Sequence, residues 1–220
     1  MPQLHDSRSR HSTPTQPSAT TGGCDRIFGL ETEYGLSVSG ASRPLDISQV
    51  AMTMFQPVVQ RERSTNTYLD NGSRLYLDVG SHPEYATAEA RTPFDAMLAD
   101  AAGESLMRTM ALETQARLRA QAGERDAIHL FTNNADSAGH SYGCHENYLV
   151  RRYVDLRAIQ TQLLPFLITR QIYTGAGRFD GDHWTYTQRA RFVDETVSSA
   201  TTRSRPMINT RDEPHADPES

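Results

Sequence analysis

The sequence predicts an α+β fold, and three observations carry it. Arg74 to Val79 alternates polar and apolar residues with the period of a strand. Thr92-Pro93 opens a long amphipathic stretch with the signature of a helix start. Ile128–Phe131 and Tyr148–Val150 are short apolar runs of strand length.

Taken in order, residues 1–23 are rich in Ser, Thr, Pro, Gln and Gly. They carry too little apolar surface to offset ordering entropy, which predicts a disordered tail. Ile27, Phe28 and Leu30 begin the first strand, and Glu31 and Glu33, two apart, share a face of it. Residues 37–46 form a loop. Ser48 to Arg63 predicts a helix capped by Ser48, with Val50, Met54 and Val58 at spacing four and a kink or stop at Pro57. Asn71-Gly72 is a turn, and the strand Ser73–Gly80 follows. On it Arg74, Tyr76 and Asp78 point one way, and Leu75, Leu77 and Val79 point into a core. The residues after Gly80 continue as a turn carrying Glu84, Thr87 and Glu89. The helix from Thr92 shows an apolar stripe of Phe94, Met97, Leu98, Ala101, Ala102, Leu106 and Met110, and Gly123 ends it. Residues 133–147 are polar and turn-rich. Leu156–Tyr173 is helical with a break at Pro165, Trp184–Val193 is a strand, and Ser198–Asp217 is polar and rich in Arg and Thr.

Composition narrows the function. The net charge of -5 lacks the basic stripe of a nucleic-acid binder. No apolar run is long enough to span a membrane, and no signal-peptide core follows Arg8 and Arg10. Two cysteines without metal spacing, Cys24 and Cys144, read as free thiols in a reducing, cytoplasmic setting. There is no Walker loop, dinucleotide fingerprint, nucleophile elbow or zincin motif.

The chemistry then rests on the acidic and basic strand residues. Glu31, Glu33, Glu84 and Glu89 offer hard oxygens of the kind Mg²⁺ takes, although a lone Glu-x-Glu is equally a solvated face. Asp78 beside Arg74 and Tyr76 is a candidate general base. In His145-Glu146-Asn147 the sequence offers an imidazole and a carboxylate, whereas His82 and His140 read as turn histidines with satisfied hydrogen bonds. Arg203, Arg205 and Arg211 fall within one short stretch suited to phosphate. The chain contains no Lys, so that richness partly reflects composition.

Four long segments carry a resemblance: Gly29-Leu-Glu-Thr-Glu-Tyr-Gly35, Asn71 to Glu89, Asn133 to Leu149 and Ser198 to Asp217. Together they closely resemble the Pup–protein ligase (proteasome accessory factor A) family, over about Arg26 to Asp217. The resemblance implies a glutamine-synthetase-like carboxylate–amine ligase core, a curved antiparallel sheet with helices on the outer face. It implies ATP-dependent activation of the C-terminal glutamate of Pup to a γ-glutamyl phosphate, attacked by a lysine of a protein substrate that is thereby marked for proteasomal degradation. By resemblance Glu31, Tyr76 and Glu84 are magnesium ligands, with Glu33 and His145 as candidates for a second ion. Arg74 and Thr87 contact ATP, Arg203, Arg205 and Arg211 reach its phosphates, and Asp78 is the base. The sister depupylases share the fold, but the short connection before Asn71 and the run Leu77-Asp-Val-Gly-Ser-His-Pro-Glu84 favour the ligase. Family members are about twice as long. Residues 24–220 are therefore expected to be the N-terminal part of a truncated catalytic domain, with a complementing C-terminal chain as a partner; an inactive remnant that only binds Pup is the other alternative.

Overall fold

The computed structural model describes residues 27–41, 45–122, 126–136, 139–150, 153–200 and 205–210. The expected tail 1–23, Cys24, Gly123, Arg203 and Arg211 lie outside them. The elements run β1 (Phe28–Glu33), β2 (Gly35–Ser39), α1 (Ile47–Glu62), β3 (Asn66–Tyr68), β4 (Arg74–Asp78), β5 (His82–Ala86), α2 (Pro93–Ala122), β6 (Ala127–Phe131), β7 (Cys144–Tyr148) and α3 (Leu156–Thr174). After them come β8 (Arg178–Phe179), β9 (Trp184–Thr185), β10 (Glu195–Ser198) and β11 (Pro206–Asn209).

A five-stranded antiparallel sheet in the order β3-β4-β5-β1-β7 is the centre of the fold. The chain leaves it at Tyr34, and β2 pairs antiparallel with β6 instead. Pairs β8–β9 (antiparallel) and β10–β11 (parallel) lie beyond α3. One face of the central sheet supplies Leu75 and Tyr85, opposite each other in the register. They pack with Tyr34, with Met54, Phe55 and Val58 of α1, and with Met107, Met110 and Ala111 of α2. Gly103 lets α2 close on this face: a Cβ there would overlap the Tyr85 ring. The Tyr85 hydroxyl donates to the fully buried Ser73 Oγ at 2.8 Å, and Ser73 Oγ also accepts from the Ala88 N–H at 3.0 Å.

Several expectations need correction. The cap of α1 is Asp46, whose carboxylate accepts from the Ser48 N–H at 2.9 Å. Helix α1 passes through Pro57 without stopping. A proline frees the carbonyl four residues back, here that of Thr53, and Arg117 Nη2 of α2 donates to it at 3.2 Å. α3 likewise continues through Pro165, where the freed Thr161 carbonyl sits on an exposed residue. The Thr92 cap holds: the Asp95 N–H donates to Thr92 Oγ1, which donates back to Asp95. The stripe read on α2 is wrong in its first half, since Phe94, Met97 and Leu98 are exposed, while Ala96, Met107, Met110, Ala111 and Thr114 are buried. Val79 is 91% exposed because it opens the turn into β5. That turn needs positive φ at Gly80 and Ser81, and β5 behind it had read as part of the turn because Pro83 weakens the strand pattern. Strand β7 sits at 144–148 rather than 148–150, and the strand read over 184–193 shrinks to two residues. The polar stretch after Ser198 contains β11.

Candidate metal and nucleotide site

The register assembles the site. Residues paired across neighbouring strands point to the same face. Tyr76 pairs with Glu84, and Glu84 with Glu33. Arg74 pairs with Ala86, Ala86 with Glu31, and Glu31 with His145. Asp78 pairs with His82 at the hairpin end. Four strands thus deliver Arg74, Tyr76, Asp78, His82, Glu84, Glu31, Glu33 and His145 to the face opposite the helices.

Among the described residues, two sets of side chains each bring their ligand atoms within 4.8 Å of one another: Glu31, Glu84 and His145, and Glu33, Asp78 and Glu84. Glu84 belongs to both and is 4% exposed. Burial, reinforced by the negative charges of Glu31, Glu33 and Asp78, pushes its carboxyl up to about 7 against the hydrogen bond from Tyr76. The Tyr76 phenol is held well above its ordinary value, by burial first and then by Glu31 and Glu84, so it stays neutral. The Arg74 guanidinium lies over the Tyr76 ring, 4.3 Å from its centroid, and its Nε donates to Asn66 Oδ1 at 2.8 Å. Burial raises the Glu31 carboxyl, but hydrogen bonds from His145 and Asn147 and the charge of Arg74 outweigh it, and the net shift is downward. His145 Nδ1 stands 2.9 Å from Glu31 Oε2, a contact that raises the imidazole above its ordinary value. Burial raises Glu33, opposed by the Gly143 N–H, which donates to Glu33 Oε2 at 2.5 Å.

The remaining candidates are less central. Thr87 Oγ1 accepts from the Leu30 N–H at 3.0 Å, tying the end of β5 to β1. Arg205 flanks β11, its N–H donating to Asp194 Oδ1 at 2.7 Å. Glu146 pairs with Leu30, so it points away from Glu31 and His145, and it forms an ion pair with Arg170 at 2.9 Å. Asn147, which pairs with Gly29, is on the site face in its place. His140 is the turn histidine expected, bonded to Asp136. His82 is not: its Nδ1 approaches Glu33 Oε1 at 3.1 Å without hydrogen-bond alignment, and its ring meets Tyr142 edge-on. Cys144 is a free, exposed thiol. Sequence patterning missed His82, Asn147 and Gly143. A His two residues before Glu84, on the same strand face, was the available signal for the first.

A profile of the Pup-ligase protein family matches residues 26–220. The chain belongs to the Pup-ligase family. It is 68% identical over 222 residues to a Pup–protein ligase of Bifidobacterium longum (strain DJO10A), covering all of this chain and 46% of the relative. It is 71% identical over 223 residues to a Pup–protein ligase of Bifidobacterium animalis subsp. lactis (strain AD011), covering all of this chain and 44% of the relative. Among solved structures, it resembles the ligase PafA in complex with the ubiquitin-like protein Pup, with a TM-score of 0.78 and 45% identity over 88% of this chain and 39% of that one. It also resembles PafA in complex with ADP, with a TM-score of 0.60 and 47% identity over 80% and 41% of the two chains. The Pup-ligase fold, with its antiparallel sheet and helices on one face, is therefore the fold of this chain, which spans just under half the length of these curated relatives. None of the helices among the described residues is long and apolar enough to cross a membrane.

Proposed function

We propose that this chain carries the cation-binding and catalytic face of an ATP-dependent ligase that joins the C-terminal glutamate of Pup to a substrate lysine in the cytoplasm, completed by a chain corresponding to the rest of its relatives' length. The observation that carries this reading is the convergence of Glu31, Glu33, Asp78, Glu84 and His145 on one sheet face. A raised Glu84 beside three more carboxylates is a cluster short of positive charge, and its oxygens suit a hard cation such as Mg²⁺. Glu31, Glu84 and His145 would hold one ion with the Tyr76 phenol oxygen beside them, and Glu33 would hold a second together with Glu84. Bound there, Mg²⁺ would offset the charge of a nucleotide polyphosphate against the acidic face.

Arg74 is fixed through Nε and the Tyr76 ring, which leaves its terminal nitrogens for phosphate oxygens. Thr87 keeps its hydroxyl proton for ATP while its oxygen is engaged with Leu30. Arg203, Arg205 and Arg211 follow as further phosphate contacts. Asp78 is exposed at the end of β4, where a substrate amine can reach it. A lysine is protonated at neutral pH, so attack on an acyl phosphate requires a base, and Asp78 takes that role.

The test combines the chain with the complementary half of a relative, Pup ending in Glu, ATP, Mg²⁺ and a lysine-bearing target. Formation of an isopeptide conjugate is expected. Cleavage of a premade conjugate would instead identify a depupylase, and nucleotide binding without either would identify a binding remnant. Asp78→Asn is expected to slow conjugation about 10²–10⁴-fold while nucleotide binding stays Mg²⁺-dependent. Conjugation at the unmodified rate would move the base elsewhere, with Glu33 the nearest alternative.

A further inference from the structure

Strand β7 is preceded by a single peptide group, Tyr142–Gly143, whose two ends are held by opposite charges. Its carbonyl accepts from Arg189 Nη1 at 3.0 Å and from Asn134 Nδ2 at 3.3 Å. Its N–H donates to Glu33 Oε2 at 2.5 Å, and the Glu33 N–H returns a bond to the Gly143 carbonyl at 3.3 Å. A guanidinium on the oxygen and a carboxylate on the N–H polarise the peptide in the same sense, so each contact strengthens the other. Tyr142 cannot swing away: it is 4% exposed, its hydroxyl donates to Asn133 Oδ1 at 2.6 Å, and its ring packs against His82.

Gly143 adds a second constraint. A Cβ at this position would come within 2.9 Å of His145 Cε1 and Nε2 and 3.3 Å of Glu33 Oε2. The imidazole and the carboxylate therefore approach each other through the space that the missing side chain leaves. Arg189 comes from the segment after β9, far in sequence from either ligand group, and its backbone is set by the Thr187 hydroxyl, which accepts from the Arg189 N–H at 3.1 Å.

We propose that Arg189 and Gly143 are positioning residues for the cation site: Arg189 turns the Tyr142–Gly143 peptide so that its N–H fixes Glu33, and Gly143 leaves the gap into which His145 turns. This rests on the cation reading given above. Neither residue touches the ion or the reacting groups. They act by holding Glu33 and His145, as residues hydrogen-bonded behind metal ligands do.

The experiment measures Mn²⁺ affinity by electron paramagnetic resonance on the full 220-residue chain, with the melting temperature recorded for each variant. Arg189→Ala is expected to weaken Mn²⁺ binding by about 10-fold or more. Arg189→Lys, which can still donate to the Tyr142 carbonyl, should recover most of it. Gly143→Ala should lose affinity to a similar degree, with less Mn²⁺ broadening of the His145 ring proton in NMR spectra. Unchanged affinity in both Arg189→Ala and Gly143→Ala would overturn the proposal while leaving the cation reading in place. So would losses that follow the melting temperature and are not restored by Lys. Absence of Mn²⁺ binding by the unmodified chain would remove the cation reading, and this inference with it.

Discussion

The part of the molecule before β7 and the part after it are built differently. Before β7, Met54, Phe55, Leu75 and Met107 are fully enclosed, and α1 and α2 press apolar side chains on the sheet. After β7, α3 buries Leu167 alone, while Phe166, Ile168, Ile172 and Tyr173, and beyond them Trp184 and Tyr186, are exposed. Yet α3 is as well formed locally as α1: Asp155 caps it through the Arg157 N–H at 3.1 Å. The contrast separates two contributions that are easily conflated. Capping and backbone hydrogen bonds shape an element, whereas enclosure of its apolar side chains anchors it. The site lies where the two parts meet. Its carboxylates stand on the anchored sheet, His145 comes from its outermost strand, and Gly143 lies just before that strand.

The sharpest way to break this comparison is to empty the first core. Phe55→Ala removes a ring with no exposed surface and should cost about 3–5 kcal/mol in urea denaturation; a loss under about 1 kcal/mol would mean that α1 is no better anchored than α3. The next effect concerns the sheet face. The folded-state value for Glu84, about 7, lies above its ordinary 4.5. Its contribution to stability is therefore complete below about pH 4.5 and is lost as pH rises through 7, on the order of 3 kcal/mol. Glu84→Gln should flatten that fall in a pH series of melting temperatures, and saturating Mg²⁺ should do so in the unmodified chain. A slope unaffected by the substitution would assign the titration to another group. The smallest effect is Phe166→Ala on α3, expected to shift urea stability by less than about 1 kcal/mol. A shift as large as that of Phe55 would show that the apolar face of α3 is covered in solution, and the two parts would then be alike.

Much of this was legible in the sequence, for identifiable reasons. The alternation from Arg74 to Asp78 placed three site residues on one face because β4 is short and regular. Thr92 marked the start of α2 because its cap is local chemistry. What was hidden depended on partners distant in the chain. Strand β7 carries His145, Glu146 and Asn147, poor strand formers, and it forms because β1 pairs with it. Which face Glu146 would take was a matter of register, and a one-residue difference turned it from candidate ligand to ion-pair partner of Arg170. Pro57 gave no hint that Arg117 would satisfy the carbonyl it frees. The apolar stripe of α2 had two faces to choose from, and Gly103 under Tyr85 decided between them.

The placement of β1 between β5 and β7 also sets an order of events during synthesis. Glu31 and its neighbour His145 are separated by 114 residues, which a ribosome adding about 5–20 residues per second takes on the order of ten seconds to deliver. Once α2 has been made, the nascent chain can assemble the β3-β4-β5-β1 part of the sheet and seat α1 and α2, but one edge of β1 remains open. Its acidic residues face one another without the imidazole and without the Gly143 amide. On arrival β7 therefore performs two tasks: it covers the open edge of β1, and it relieves the crowding of negative charge.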